Sequence, residues 1–139
     1  MQTTGTINTT ITEKIATINF YHPASNSFPS EQLQALTNAI NELNSNKEVT
    51  LIILASEGEK AFCAGASFDE LLQINDLENG TKFFSGFANV INAMRTSNKL
   101  MIGRVQGKTV GGGVGLAAAC DYCFATENAS IKLSELAIG

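Results

Sequence analysis

The sequence predicts an α/β domain in which short strands and helices alternate along the chain. Three observations carry that class: two N-terminal segments that alternate apolar and polar residues, an apolar run of strand length at residues 49–55 with a further strand at Leu100–Val105, and helical spacing in the stretches between them. The 139 residues are 44% hydrophobic and 16% charged, which suits one domain burying a modest core. No repeat, low-complexity tract or linker composition divides them, so residues 1–139 are read as one unit.

Thr6–Thr12 and Ile15–Tyr21 alternate around Glu13 and Lys14, the pattern of a β-hairpin. Pro23 and Pro29 bracket a loop. Beyond them Leu33, Leu36, Ile40 and Leu43 recur at helical spacing, with Ser30 as N-cap and the helix ending near Asn46. The run Val49-Thr50-Leu51-Ile52-Ile53-Leu54-Ala55 has the branching of a strand covered on both faces, so parallel pairing is expected. After a loop at residues 57–60, a short helix is expected over 68–74 and a longer one over Leu77–Arg95. The longer helix carries an apolar stripe of Phe83, Phe87, Val90, Ile91 and Met94. Leu100–Val105 is a further strand leading into a glycine-rich segment and a helix over 112–120. Short strands at Tyr122–Ala125 and 129–132 close the pattern.

A net charge of -4, with nine Lys and Arg dispersed along the chain, leaves no basic patch, so nucleic acid is not an expected partner. No apolar run is long enough for a membrane span, and Met1 to Thr6 have neither the basic region nor the apolar core of a leader. A cytoplasmic protein without a membrane partner is therefore expected. Cys63, Cys120 and Cys123 sit among apolar or small residues and are expected to be reduced, buried thiols. The spacing Cys120-x-x-Cys123 has no second pair and the single histidine, His22, is distant in sequence, so no metal site is expected.

Glycine at positions 107, 111, 112, 113 and 115, directly before Leu116-Ala117-Ala118-Ala119-Cys120, puts side-chain-free backbone at a helix start. The unpaired N–H groups there favour negative charge on oxygen, either a phosphate or an oxyanion that forms during a reaction. A tight turn with close helix packing is the structural alternative. Gly107-Lys108-Thr109 imitates the end of a P-loop, but only Arg104, Val105 and Gln106 separate Gly103 from Gly107, one fewer than that motif needs. A dinucleotide fingerprint fits equally badly. A second small-residue segment, Ala61-Phe62-Cys63-Ala64-Gly65-Ala66-Ser67, also runs from a strand end into a helix start. Two such turns facing each other can direct one N–H each at a single carbonyl oxygen, an oxyanion hole. Alternatively the second is an ordinary loop with Ser67 as a helix cap.

These segments, together with Ser134-Glu135-Leu136-Ala137-Ile138-Gly139 and the Asn26-Ser27-Phe28 turn, resemble the enoyl-CoA hydratase/isomerase (crotonase) family in order and spacing. Within it, Ala64 to Leu72 and Lys132 to Gly139 are similar to the methylglutaconyl-CoA hydratase subgroup. The resemblance implies the crotonase-like fold of repeated ββα turns, here its N-terminal portion. It also implies an acyl-CoA substrate and homo-oligomers, trimers or hexamers. The N–H groups of Ala66 and Gly112 would receive the thioester oxygen as it becomes an enolate. Ala64, Ser67, Phe68 and Asp69 match positions that line the thioester, Ser67 standing where aspartate is more usual, and Ser27 and Phe28 fall where coenzyme A passes.

Glu135 matches a catalytic glutamate, a general base and then acid of the kind that works near neutrality when buried. Gly115 stands where the hydratases of the family keep a second glutamate, so hydration and double-bond isomerisation both remain open. Coenzyme A enters as part of the substrate, and no other cofactor and no metal is implied. Members of the family continue into further helices, so the chain is expected to lack a C-terminal helical part. An inactive acyl-CoA-binding or assembly subunit is then the alternative to a working enzyme.

Overall fold

A computed structural model of the chain describes residues 4–138. Met1, Gln2 and Thr3 of the opening segment and Gly139 of the last motif lie outside the described residues. Glu13 and Lys14 both take positive φ, 50° and 68°, the two-residue turn whose twist matches that of the strands it joins. β1 (Thr6–Thr12) and β2 (Ile15–Tyr21) therefore pair antiparallel, from Thr6 opposite Tyr21 to Thr12 opposite Ile15. The helix α1 (Ser30–Ser45) carries the chain across to β3 (Leu51–Ser56), which lies parallel to β2.

From β3 onward one pattern recurs. β3 is followed by the three-residue strand β4 (Ala61–Cys63) and the helices α2 (Phe68–Leu71) and α3 (Leu77–Arg95). Next come β5 (Leu100–Val105), β6 (Lys108–Val110) and α4 (Gly112–Ala119), and then β7 (Tyr122–Ala125), β8 (Ser130–Lys132) and α5 (Glu135–Ile138). The first strand of each unit joins a five-stranded sheet in the order β1-β2-β3-β5-β7, and the second joins a three-stranded sheet in the order β4-β6-β8. The ββα repetition implied by the resemblance is thus present, and the parallel pairing expected of residues 49–55 holds. The core lies between the large sheet and the helices α1, α3 and α4, where Ile18, Phe20, Leu36, Ile40, Leu54, Val90, Met101 and Leu116 are fully covered.

Local expectations shift at four places. Ser30 is the first helical residue and not the N-cap: Pro29 is the cap and makes no side-chain bond, while the Ser30 N–H donates to Glu70 Oε2 at 2.7 Å. A carboxylate from α2, 40 residues away in sequence, therefore serves the positive end of α1. Val49 and Thr50 precede β3: the Val49 N–H donates to the Asn46 carbonyl in a turn (3.1 Å), and the Thr50 N–H donates to the Lys14 carbonyl of the hairpin turn (2.9 Å). α2 stops at Leu71, and the next bonds, from Gln73 to Glu70 and from Ile74 to Leu71, are turn contacts. β4 and β6, hidden in the two small-residue segments, have no alternation to reveal them because each is three residues long.

Cys63 is buried as expected, and burial pushes its thiol up to about 12. Cys120 is also raised to about 12, first by burial and then by the neighbouring Cys123. Cys123 is not buried: it lies on β7, whose Tyr122 and Phe124 are likewise exposed, because no described element covers that strand. All three thiols are free. Among the described residues no group of three or more His, Cys, Asp or Glu side chains is placed to hold a metal. No helix among them is long and apolar enough to cross a membrane.

Candidate functional site

The loop from β2 to α1 is fastened by a buried amide. Asn26 takes a left-handed conformation (φ 58°), which asparagine tolerates better than most residues. Its Oδ1 accepts the His22 N–H at 2.8 Å, and its Nδ2 donates to the carbonyls of Glu57 (2.8 Å) and Ala61 (2.9 Å). One side chain therefore joins the end of the hairpin, the β3–β4 turn and the start of β4. Two residues on, the Phe28 N–H donates to the Gly65 carbonyl and the Ser67 N–H donates to the Phe28 carbonyl, both at 2.8 Å. This is a single parallel bridge between Phe28 and Ala66. In such a bridge the partner residue's own N–H points to the opposite edge, so the Ala66 N–H is turned away from Phe28.

That opposite edge faces the start of α4. A Cβ built on Gly65 would lie 3.6 Å from the Gly112 nitrogen and 3.2 Å from the Val110 carbonyl oxygen. The expectation that the two small-residue turns face each other is met by the parallel pairing of β4 with β6, Ala61 opposite Lys108 and Cys63 opposite Thr109. Gly111 reverses the chain between β6 and α4 with φ 55° and ψ −125°, a combination that side-chain-bearing residues avoid. Gly113 presses α4 onto β4. A Cβ there would sit 2.7 Å from the Cys63 carbonyl oxygen and 2.8 Å from the Cys63 Cβ. Gly113→Ala must push backbone apart and is expected to lower stability by about 1–3 kcal/mol, read as a lower urea midpoint at unchanged m-value.

Ala64, Ala66, Ser67, Phe68, Gly112 and Glu135 of the sequence-expected site all line one cavity of about 320 Å³. Among the described residues neither the Ala66 nor the Gly112 N–H donates to a protein acceptor. Ser67 also caps α2, its Oγ accepting the Glu70 N–H at 3.3 Å, so the structural reading of that residue holds alongside its place in the lining. Glu135 reaches the cavity because β8 is tied to α4: the Gly111 N–H donates to the Lys132 carbonyl at 3.1 Å, three residues before Glu135. Its Oε1 lies 3.0 Å from where a Gly111 Cβ would stand. Glu135 is exposed, so residues 4–138 do not supply the burial that a carboxylate working near neutrality was expected to have.

Other expected residues lie elsewhere. Asp69 borders a different cleft, beside His22, Pro29 and Gln32. Ser27 and Phe28 do not line the cavity; they are 9% and 1% exposed and belong to the packed loop and core. Gly115 turns towards α3, where a Cβ would meet Ile91 Cδ1 at 2.8 Å. Missing from the sequence reading are Leu71, Phe83, Phe84 and Phe87, which wall the cavity on its apolar side. Phe83 and Phe87 are legible as an apolar stripe, a pattern that does not distinguish a core face from a cavity wall. Phe84 shows no periodic signal at all, being adjacent to the stripe and 70% exposed.

A family model described as enoyl-CoA hydratase/isomerase matches residues 10–139. The chain is 33% identical over 127 residues to the short-chain-enoyl-CoA hydratase of Clostridium acetobutylicum, covering 91% of this chain and 48% of that protein. It is 36% identical over 110 residues to the mitochondrial methylglutaconyl-CoA hydratase of Homo sapiens, covering 79% and 32% respectively. Among solved structures, the enoyl-CoA hydratase of Bacillus anthracis superposes with a TM-score of 0.90 at 28% identity, covering 96% of this chain and 52% of that one. The chain thus spans about half the length of the first relative and of the solved structure. The ββα repetition, the two facing turns and a family match over most of the sequence agree: the chain belongs to the enoyl-CoA hydratase/isomerase family.

Proposed function

We propose that this chain performs double-bond chemistry on an enoyl-CoA thioester through an enolate held by the Ala66 and Gly112 N–H groups, with Glu135 moving the proton. The observation that carries this reading is the meeting of two unpartnered N–H donors and one carboxylate in a single cavity with an aromatic wall. As the thioester carbonyl gains negative charge, donors already aimed at its oxygen stabilise it without reorganising, worth about 3 kcal/mol per donor. In hydration, Glu135 takes a proton from water as the oxygen adds to C3 and gives that proton to C2 of the enolate. In isomerisation, it removes a proton from C2 of a 3-enoyl-CoA and returns it to C4. The second course needs only one carboxylate, and Gly115 supplies none. Coenzyme A belongs to the substrate, and neither course calls for a metal or a redox cofactor.

Purified protein is expected to convert a short or branched 2-enoyl-CoA into its 3-hydroxy product, or to interconvert 2- and 3-enoyl isomers, followed by chromatography of the thioesters. Neither product at any protein concentration, with acyl-CoA still bound, would favour a second reading, an acyl-CoA-binding or assembly subunit without turnover. The turn of Gly115 towards Ile91, which leaves the cavity one carboxylate, favours that alternative. Cytoplasmic residence and a homo-oligomer, trimer or hexamer, are part of the proposal.

A further inference from the structure

Phe28 is 1% exposed and does not itself line the cavity, yet its backbone bonds to the first donor loop and its ring packs on Phe87, which lies against the second. Its backbone takes one edge of the Gly65–Ser67 segment with two bonds of 2.8 Å, which leaves the Ala66 N–H directed to the other edge. Its ring packs edge-to-face on Phe87, with centroids 6.0 Å apart and an interplanar angle of 87°. The Phe87 ring in turn lies directly against Gly112: three of its carbons would stand 2.7–2.8 Å from a Cβ at that position. On its other side Phe28 is held by Phe20, at 4.8 Å between centroids, which itself packs on Phe62 at 5.4 Å. Two donors supplied by different loops hold one oxygen only if their spacing is set, and packed rings transmit position because interiors are close-packed.

We propose that Phe28 is a positioning residue that sets the spacing of the two N–H donors, aiming Ala66 through its backbone and seating Gly112 through the ring of Phe87. This rests on the oxyanion reading of the cavity. It gives the Asn26-Ser27-Phe28 turn a task other than lining the path of coenzyme A.

The test uses the full chain and a short 3-ketoacyl-CoA, an enolisable thioester whose enolate absorbs in the near ultraviolet where the keto form does not. Wild-type protein is expected to raise the bound enolate fraction. Phe28→Leu, which keeps the backbone bridge but withdraws the ring from Phe87, is expected to lower the enolate-to-keto ratio by about 10–100-fold, with Kd changed less than about threefold. Phe28→Met serves if the leucine variant does not fold. Leu36→Ala, a buried substitution on α1 outside both loops, is the control for lost stability alone and is expected to keep the wild-type ratio. Adding Phe28→Leu to Phe87→Leu is expected to bring no further loss, because both changes cut the same path. A wild-type ratio in Phe28→Leu, or an equal loss in Leu36→Ala, overturns the role of Phe28 alone. No enolate on the wild-type protein removes the oxyanion site and this inference together.

Discussion

Glu135→Gln is expected to lower kcat for enoyl-CoA conversion by about 10²–10⁴-fold while KM changes little, measured under steady state with a short 2-enoyl-CoA. The amide has nearly the shape of the carboxylate and keeps a carbonyl oxygen near Gly111, so the cavity and its two N–H donors survive the change. What disappears is the capacity to take up and return a proton. An enzyme that relies on one acid/base group loses both transfers at once, whereas an oxyanion hole with its base removed still binds the thioester. Binding of a non-reactive acyl-CoA is therefore expected to persist in the variant. Undiminished turnover would remove Glu135 from the mechanism, since no other described carboxylate lines the cavity.

Asn26→Ala is expected to cost about 3 kcal/mol of stability, read as a lower urea midpoint, and to weaken turnover as well. Asn26 is 4% exposed, and its removal leaves the His22 N–H and the Glu57 carbonyl without their partner, while the Ala61 carbonyl keeps only its bond from Gln106 Nε2 at 3.2 Å and a longer one from Ser56 Oγ. Each buried group so orphaned costs about 1–3 kcal/mol, and alanine is also a worse occupant than asparagine of a φ of 58°. Against a total stability of about 5–15 kcal/mol for an ordinary domain, that is a large fraction. Asn26→Asp is expected to be no better, because it turns acceptor oxygens towards two carbonyls that need a donor. The activity loss follows from place: Asn26 secures the turn that leads to Phe28 and so to Ala66.

Much of the architecture was legible in sequence because its causes are local. The hairpin follows from alternation around Glu13 and Lys14, and α3 from the stripe at Phe83, Phe87, Val90 and Met94. The strand expected at residues 49–55 and its parallel pairing follow from an apolar run. The family was legible too, because its turns demand glycine or alanine at fixed spacing, and those residues can be read without knowing what they touch.

Contacts between segments distant in sequence carry no such signature. Glu70 serving α1, Asn26 joining three segments, Phe28 reaching Gly112 through Phe87, and Asp69 facing another cleft all depend on side chains meeting across the fold. By itself, then, the sequence determined the order of strands and helices and the presence of two side-chain-poor turns, because period and glycine content act within a few residues. Only the tertiary structure decided which N–H groups stay unpaired, which aromatics wall the cavity and how close Glu135 comes to Gly111, because close packing of residues far apart along the chain sets those distances.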